Sequence, residues 1–384
     1  MLLIPVIAGG CGGSGPQLGK PASAAAEKPA PAEDWRAYGE YLKQRAASGE
    51  FSGSVLVAKD GRPLLERGYG MADRKRGVAN TARTRFCIAS MGKMFTAVAV
   101  AQLVERGKLS FDDTIGKYVS GFPREIAGKV TVHQLLTHTS GMGDALKREG
   151  TSEPPRTIAG LMKLIAKEPL LFEPGSRFGY SNSGFIVLGA IIERVTGKSY
   201  AGYVREHVFK PAGMTDTAIR YYRPAEIRNM AHGYVRVGPD GKPLPPGPGP
   251  GPDSTARPET LRDNSDMPQI GNPSGGAYST VGDMLAFARA LTGHKLLGPA
   301  LTKTVLTGKV DTERPGGPPE DKYAYGFGDR KINGVRIVGH NGGTPGYEGQ
   351  LDIYLDKGYT VIILTNQDGV LVPAHRRSEE MLTR

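Results

Sequence analysis

Ser90 and Lys93 are the residues whose types and spacing best fit covalent chemistry. They stand at the head of the segment 94–104, which is predicted to be a buried helix because apolar residues lie on nearly every side of it. Positions i and i+3 of a helix share a face, so the two side chains can touch. A serine needs a neighbouring base to act as a nucleophile, and burial lowers the pKa of a lysine. The pair therefore predicts a serine that attacks acyl carbonyls, with Lys93 as its base.

The same spacing also has a purely structural interpretation, in which Ser90 caps a helix and Lys93 lies on the surface. About one serine followed by a lysine three positions later is expected by chance in a chain of this length. Two further elements favour the chemical interpretation, a Tyr-x-Asn element at 180–182 and a His-x-Gly element at 340–342.

The order S-x-x-K, Tyr-x-Asn and His-x-Gly is similar to that of the penicillin-recognising serine enzymes. Further stretches match in the same order. They are HQLLTHTSGM at 133–142, FEPGSRFGYSNSGFIVLGAIIERVTGKSY at 172–200, GGAYSTVGDMLAFARAL at 275–291 and GHNGGTPGYEG at 339–349. From about Trp35 to its C-terminus, the chain resembles the broad β-lactamase-related serine hydrolase family. That family includes class C β-lactamases, D,D-peptidases, D-amino-acid peptidases and esterases.

The resemblance gives a role to both members of the Tyr-x-Asn element. The phenol of Tyr180 would relay protons to the leaving group and from the deacylating water. The amide of Asn182 would hold both Lys93 and a substrate carbonyl. The structural alternatives are a core tyrosine near a turn and a cap for a helix over 183–195. No glutamate in an E-x-x-L-N context follows this element, so Tyr180 and Lys93 are expected to serve deacylation too.

The His-x-Gly element follows a run that reads as a strand, and glycines at 342 and 343 allow a backbone to approach a ligand closely. By resemblance, the N–H of Gly343 is an oxyanion donor. The N–H of Ser90 would be the other donor, at a helix N-terminus that favours an anion. The resemblance also places His340 among the catalytic residues, and Asn341 and Gly342 among those that bind substrate.

His340 stands where β-lactamases and D,D-peptidases usually carry a lysine. A lysine is a permanent cation that helps to anchor a substrate carboxylate, whereas histidine is largely neutral near pH 7. The change favours an esterase or a hydrolase of small peptides, including D-amino-acid peptides. A β-lactamase or D,D-carboxypeptidase is the alternative within this chemistry. A penicillin-binding or peptidoglycan-sensing module with little turnover is the alternative from another class.

The composition is typical of a globular protein, with 39% hydrophobic and 23% charged residues among 384. The net charge of +11 comes from scattered lysines and arginines, so we expect no nucleic-acid partner. His133 and His138 lie five positions apart and match no common zinc spacing, so we expect neither a metal nor a cofactor. That segment is assigned a structural role, as a short helix that Thr131 caps and Ser140-Gly141 ends. The expected partner is a small ester, amide or peptide substrate.

The first 34 residues differ from the rest, with an apolar start, small residues around Cys11 and an Ala/Pro-rich tether. This leader resembles the end of a bacterial lipoprotein signal, in which Cys11 would be the lipidated residue. We therefore expect an exported protein of the periplasm or cell envelope, with membrane association through this anchor only. The other cysteine, Cys87, is expected to be a small buried side chain.

The sequence predicts an α+β fold of the α/β sandwich type, like that of the β-lactamases and transpeptidases. A helix is predicted over 35–47, and strands are predicted over 54–59, 63–70, 323–327, 335–340, 347–355 and 359–365. Asp60-Gly61 is expected to form a hairpin turn between the first two strands. Both chain ends thus supply strands to one antiparallel sheet flanked by helices, and a mainly helical part is inserted between them.

The sheet subdomain is expected over about 35–106 and 300–384, and the helical subdomain over about 107–299. Ser90 and Lys93 would lie on the first core helix, the Tyr-x-Asn element on a loop of the helical part, and His340 on an edge strand. The Pro/Gly-rich segment 238–258 is expected to be an exposed loop, either a lid over the substrate or a solvated excursion.

Overall fold

The computed structural model describes residues 34–145, 155–244, 260–312 and 320–384. Cys11, the rest of the leader and most of the loop at 238–258 lie outside these ranges. The expectations for them stay predictions, as do the subdomain boundaries. Within the described ranges, no helix is both long and apolar enough to cross a membrane.

The secondary structure alternates short strands and helices along the chain. The helices are α1 (Trp35–Ala47), α2 (Lys93–Glu105), α3 (Arg124–Ala127), α4 (Val132–Leu136), α5 (Ile158–Ile165), α6 (Asn182–Thr196), α7 (Tyr200–Val204), α8 (Lys210–Ala212), α9 (Val281–Thr292), α10 (Pro299–Leu306) and α11 (Leu371–Thr383). The strands are β1 (Gly53–Lys59), β2 (Arg62–Tyr69), β3 (Met71–Asp73), β4 (Val78–Ala79), β5 (Phe86–Ala89), β6 (Tyr221–Tyr222), β7 (Tyr234–Val237), β8 (Thr260–Asp263), β9 (Gln269–Ile270), β10 (Ala277–Ser279), β11 (Val310–Asp311), β12 (Glu320–Tyr323), β13 (Gly328–Ile332), β14 (Val335–Thr344), β15 (Tyr347–Tyr354) and β16 (Tyr359–Thr365).

One large sheet has the strand order β11-β12-β13-β14-β15-β16-β1-β2, and its neighbouring strands are antiparallel. The β1–β2 hairpin turns at Asp60 and Gly61, whose φ values of 49° and 73° are both positive, as a type I′ turn requires. The last strand, β16, pairs with β1, so that Gly53 lies opposite Thr365. The predicted α+β fold, with a sheet built from both chain ends, is confirmed.

Alternate residues of the central strands face two layers of helices. On β1, Leu56 packs in the core that contains α2 and α9, whereas Val55 and Val57 pack in the core that contains α1 and α11. Every residue from 93 to 103 of α2 is buried, as its apolar sequence predicted. The sheet therefore lies between two helical layers, and α2 belongs to the layer that also contacts the helical middle of the chain.

The strand that carries His340 is an interior strand, so the predicted edge position is wrong. β14 pairs with β13 through Gly339 on one side and with β15 through Thr344 on the other. Because β13 begins at Gly328, opposite Gly339, the part of β14 from His340 onward pairs only with β15 among the described strands of this sheet. The sheet is therefore open on one side where the His-x-Gly element begins.

The strand predicted over 323–327 has different bounds. β12 ends at Tyr323, and the next residues form a turn closed by the N–H of Ala324, which donates to the carbonyl oxygen of Phe327 at 2.7 Å. Gly326 permits this turn, because its φ is +71° and a Cβ there would lie 2.9 Å from the carbonyl oxygen of Lys93. The aromatic run therefore packs a turn against the start of α2 instead of extending the strand.

Two local expectations agree with the structure. Thr131 caps α4 in a capping box with Gln134, in which each side chain accepts a hydrogen bond from the backbone N–H of the other residue. The helix ends at Leu136, before the stop expected at 140–141. Cys87 on β5 is buried, with 1% of its surface exposed.

An ion-pair network joins β13, β15 and α11 on the α1/α11 side of the sheet. The fully buried carboxylate of Asp352 lies 2.7 Å from Arg330 Nη2 and 2.6 Å from His375 Nε2. Glu379 accepts from the same Arg330 nitrogen at 3.0 Å. Burial alone would raise the pKa of Asp352, but the positive charges beside it hold that pKa well below its ordinary value. Asp352, His375 and Glu379 are a possible metal-ligand set, yet they already surround the Arg330 guanidinium.

We predict that Arg330→Met destabilises the protein by about 3 kcal/mol or more at pH 7, because it leaves the Asp352 carboxylate buried without its cation. Urea unfolding measures this change. The control Arg377→Met removes an arginine of α11 that is 45% exposed, and it should cost under about 0.5 kcal/mol. The difference should shrink below about pH 4, where Asp352 becomes protonated in the unfolded chain. Equal small losses in both variants would contradict this account.

Candidate active site

Ser90 stands on a tight 3-10 turn, Ser90–Gly92, between β5 and α2. The preceding Ala89 has φ 43° and ψ −128°, a conformation that residues other than glycine rarely adopt. A neighbouring segment of the same chain holds Ala89 there, since the N–H of Gly276 donates to the carbonyl oxygen of Ala89 at 3.2 Å. A Cβ on Gly275 would lie 2.6 Å from that same oxygen, so only a glycine fits. The strained turn places the half-buried Ser90 at the head of a buried helix.

Lys93 is fully buried, and its amine has several polar neighbours. Its Nζ lies 2.7 Å from Asn182 Oδ1, 2.6 Å from the carbonyl oxygen of Ser274 and 3.3 Å from Ser90 Oγ. Burial lowers the pKa of Lys93 to about 7, and the nearby carboxylate of Asp144 opposes this shift. The amine is therefore neutral in a large fraction of molecules at neutral pH.

The partners of the Lys93 amine determine where its lone pair points. Asn182 Oδ1 and the Ser274 carbonyl oxygen are acceptors only, so they take both N–H bonds of the neutral amine. The lone pair is then left for the remaining neighbour, the hydroxyl of Ser90. This arrangement suits a group that accepts the serine proton.

The Tyr-x-Asn element lies at the N-terminus of α6. Ser181 is the helix cap, and its Oγ accepts from the N–H of Gly184 at 3.0 Å. Asn182 is therefore the first residue of the helix, not its cap. Tyr180 is 37% exposed, and the centre of its ring lies 4.8 Å from the Nζ of Lys93. Both predicted members of the element thus lie beside Lys93, one through its amide and the other through its ring.

His138 holds this element in place, a contribution that sequence reasoning missed. Its Nδ1 accepts from the backbone N–H of Ser181 at 3.0 Å, and its ring centre lies 4.3 Å from that of Tyr180. Because a backbone N–H can only donate, the proton of the neutral imidazole is on Nε2. Only the position of His138 in the matched stretch 133–142 could have signalled this role.

His340 is buried and uses both ring nitrogens inside the protein. Its Nδ1 contacts the carbonyl oxygen of Asn341, which can only accept, so Nδ1 carries the proton. In a neutral ring, Nε2 is then an acceptor, and the hydroxyl of the buried Tyr323 donates a hydrogen bond to it at 2.8 Å. Tyr323 was not singled out from the sequence, where it lay in a run expected to be strand.

The glycines after His340 lie against the Ser90 turn. A Cβ on Gly342 would lie 2.3 Å from the carbonyl oxygen of Ile88 and 3.1 Å from the backbone nitrogen of Ser90, so β14 crosses this turn at close range. A Cβ on Gly343 would have no atom within 4 Å among the described residues, and this residue is exposed. The backbone of β14 therefore passes the serine with open space beside it.

Asn341 differs from the other predicted site residues in its placement. Successive side chains of a strand point to opposite faces, so Asn341 points away from the face that His340 occupies. It lines a cavity of about 280 Å³ together with Gln350 and His375, and His340 and Tyr323 also line this cavity. The strand that carries Asn341 crosses the Ser90 turn, but the side chain of Asn341 lies on the cavity side of that strand.

Two further neighbours of Lys93 were missed from the sequence. Asp144 accepts from Asn182 Nδ2 at 2.7 Å, so it contacts the amide that contacts Lys93. Ser274 acts through its backbone carbonyl, which any residue type would provide, so no side-chain pattern marks it. The only signal was the Gly275-Gly276 pair that follows it, within a stretch already matched.

Comparisons with known proteins agree with this geometry. A family model described as Beta-lactamase matches residues 39–382. Penicillin-binding protein 4* of Bacillus subtilis (strain 168) is 29% identical over 331 residues, which are 83% of this chain and 69% of that protein. The crystal structure of a penicillin-binding protein from Bacillus halodurans is 30% identical, covers 88% of this chain and 99% of its own, and has a TM-score of 0.73.

A third similar protein is the D-stereospecific amidohydrolase from Streptomyces sp. Its structure is 25% identical, covers 87% of this chain and 94% of its own, and has a TM-score of 0.68. The resemblance found in the sequence is confirmed: the chain belongs to the β-lactamase family, and it is a serine hydrolase that acts on amides or esters.

Proposed function

We propose that Ser90 is the nucleophile of this hydrolase and that Lys93 is its principal base. The observation that carries the proposal is the buried amine of Lys93, which is surrounded by acceptor-only oxygens on two sides and by the Ser90 hydroxyl on the third. The alternative of a helix cap with a surface lysine does not fit a lysine that is fully buried. A base whose pKa lies near 7 is also well matched to reaction at neutral pH.

In acylation, the proton of Ser90 passes to Lys93 Nζ while Ser90 Oγ forms a bond to the substrate carbonyl carbon. The carbonyl oxygen becomes an oxyanion, which accepts from the N–H groups of Ser90 and Gly343. The tetrahedral intermediate then expels an alcohol or an amine, which takes up the proton held by Lys93 through Tyr180 as the relay, so that the amine of Lys93 is neutral again. The close passage of β14 over the Ser90 turn supports this choice of oxyanion donors.

Deacylation repeats these steps with water. The water loses a proton to Lys93, with Tyr180 as the relay, and its oxygen attacks the acyl carbon. The bond between the acyl carbon and Ser90 Oγ then breaks to give a carboxylic acid, and the proton on Lys93 passes to Ser90 Oγ and restores the hydroxyl. The neutral amine is needed again here, so the same burial that activates the serine serves both halves of the reaction.

For the substrate, we propose an ester or a small peptide or amide, including those of D-amino acids, that needs no free carboxylate. The hydrogen bonds of His340 support this choice, because both ring nitrogens are already engaged inside the protein and the residue is not the permanent cation that a lysine would be. The amidohydrolase likeness fits the same class. The penicillin-binding relatives keep a β-lactamase or D,D-carboxypeptidase as the second candidate.

We also propose that the protein works in the cell envelope, outside the cytoplasm. The apolar leader with Cys11 and the Ala/Pro-rich tether support export, with or without lipid attachment. Its partner there would be a small-molecule substrate.

Ser90→Ala should lower kcat/KM for p-nitrophenyl butyrate by about 10⁴-fold or more, because the acyl-enzyme then cannot form. Release of p-nitrophenolate from the first turnover, with intact-mass detection of the butyryl adduct, measures this loss. Ser199→Ala is the matched control, since Ser199 is an exposed cap of α7. A burst without a steady rate in the wild type would favour a sensing module, and equal rates in wild type and Ser90→Ala would refute the nucleophile.

The wild-type kcat/KM should fall about tenfold for each pH unit below 7 and level off above about pH 8, because the neutral form of Lys93 is the base and its pKa is about 7. Lys93→Arg keeps a permanent cation and should lose about 10²–10⁴-fold at every pH. Stopped-flow or steady-state rates in constant-ionic-strength buffers measure the profile. An acid limb near pH 4 instead would point to a carboxylate base.

His340→Lys should raise the preference for a substrate with a free carboxylate by about fivefold or more, since a nearby cation attracts it by about 1 kcal/mol even in a water-like medium. The measurement is the ratio of kcat/KM for N-acetyl-D-alanyl-D-alanine to that for its C-terminal amide. His340→Gln, which is neutral, is the control and should leave the ratio unchanged. A wild-type enzyme that already prefers the free acid would contradict the substrate proposal.

A further inference from the structure

The orientation of the Asn182 amide is fixed from a direction other than the serine. An asparagine amide has an acceptor oxygen and a donor nitrogen of nearly equal shape, so its partners decide which way it points. Asp144 Oδ2 lies 2.7 Å from Asn182 Nδ2, and an ionised carboxylate can only accept. The donor end of the amide must therefore face Asp144, which leaves the acceptor end, Oδ1, to face Lys93.

We propose that Asp144 is a positioning residue, which holds the Asn182 amide in one orientation and thereby directs the lone pair of Lys93 at Ser90. If the amide were reversed, its NH₂ group would face the amine, and the amine would turn its lone pair towards that donor. The serine proton would then have no acceptor. The inference rests on the proposed role of Lys93 as base and adds a residue that acts on that base through another side chain.

The backbone around Asp144 is fastened to the start of α6 on both sides. The hydroxyl of Ser181 donates to the carbonyl oxygen of Gly143 at 2.7 Å, and the N–H of Ala145 donates to Ser183 Oγ at 2.9 Å. These bonds lie on either side of Asp144, and Ser183 is fully buried. The carboxylate is therefore held at the N-terminus of a 15-residue helix, where a negative charge is favourable.

The charge of Asp144 has a second effect, which acts against the first. Burial lowers the pKa of Lys93, and the negative charge of Asp144 raises it again in part. Two aromatic rings also lie near the amine: the ring centre of Tyr180 is 4.8 Å from Lys93 Nζ, and that of Phe185 is 5.4 Å from it. Asp144 thus orients the base correctly while it makes the base available only at a somewhat higher pH.

These two effects can be separated by two substitutions. Asp144→Asn removes the charge and keeps an acceptor oxygen, whereas Asp144→Ala removes both. In both variants the acid limb of the kcat/KM profile should move down by about 0.5–1 pH unit, because Lys93 then loses its proton more easily. Above pH 8, kcat should fall about 10–100-fold in Asp144→Ala and less in Asp144→Asn, since only the alanine variant leaves the amide without an acceptor.

Glu173→Gln is the control for a change of charge alone, because this exposed glutamate pairs with Lys129 on the surface. This variant should leave unchanged both the pH of the acid limb of kcat/KM and the value of kcat above pH 8. Loss of folded protein in an Asp144 variant would scale the rate equally at all pH values and would not move the limb, and titration of active sites by intact-mass acylation corrects for it.

An unchanged plateau in Asp144→Ala would overturn the inference, whereas an unchanged acid limb in both Asp144 variants would overturn only the effect of its charge on Lys93. The proposed function fails separately, since it requires a wild-type limb near pH 7 that Lys93→Arg abolishes. If that limb is present and Asp144→Ala keeps the wild-type plateau, Lys93 is still the base, and Asp144 has no part in orienting it.

Discussion

The proposed active site depends on the burial of one amine, that of Lys93. A lysine side chain loses its hydration when it is fully buried, so its charged form becomes unfavourable and its pKa falls, here to about 7. The amine also needs acceptors for its N–H bonds, and these come from two distant parts of the chain, Asn182 and Ser274. The fold must bring three segments to one point within a few tenths of an ångström. A lysine on the surface of the same helix would need none of this and would not be a base at neutral pH.

The rest of the architecture can be understood as the means of keeping those segments together. β5 pairs with β10, which places the segment containing Ser274 beside the serine turn. The cap of α6 and the ring of His138 fix the start of the helix that carries Asn182. Conformational strain remains at Ala89, and close backbone contacts at Gly275 and Gly342 hold it. The strained turn lies next to the large sheet and the buried α2, and these two elements supply the contacts that stabilise it.

The sequence predicted those features that local chemistry determines. The amphipathic helix over 35–47 has the same bounds in the structure, and the hairpin forms at Asp60-Gly61 because that pair adopts positive φ readily. Ser90 and Lys93 meet because a turn and a helix place positions three apart on one side. In contrast, the order of strands is decided by pairing between distant segments, so β14 was expected at an edge and is an interior strand.

The parts of the site that escaped prediction share a physical cause. Asp144 and His138 act through contacts with residues about 40 positions away, and a contact of that kind leaves no periodic pattern in one sequence. Ser274 contributes a backbone carbonyl, which no residue type reveals. The face on which Asn341 lies follows from strand alternation once His340 is known to face the serine cluster. Motif matching therefore finds the groups that perform the chemistry more readily than the groups that orient them.

The hydrogen bonds of His340 connect the fold to substrate choice. A lysine at this position can only donate, so the Tyr323 hydroxyl and the Asn341 carbonyl oxygen would both have to act as its acceptors. It would also add a full positive charge beside them. The neutral imidazole satisfies both partners without a charge, accepting from one and donating to the other. Under the proposed function, a site without a lysine at this position lacks that permanent cation for a substrate acid, so selectivity would depend more on the fit of the acyl group.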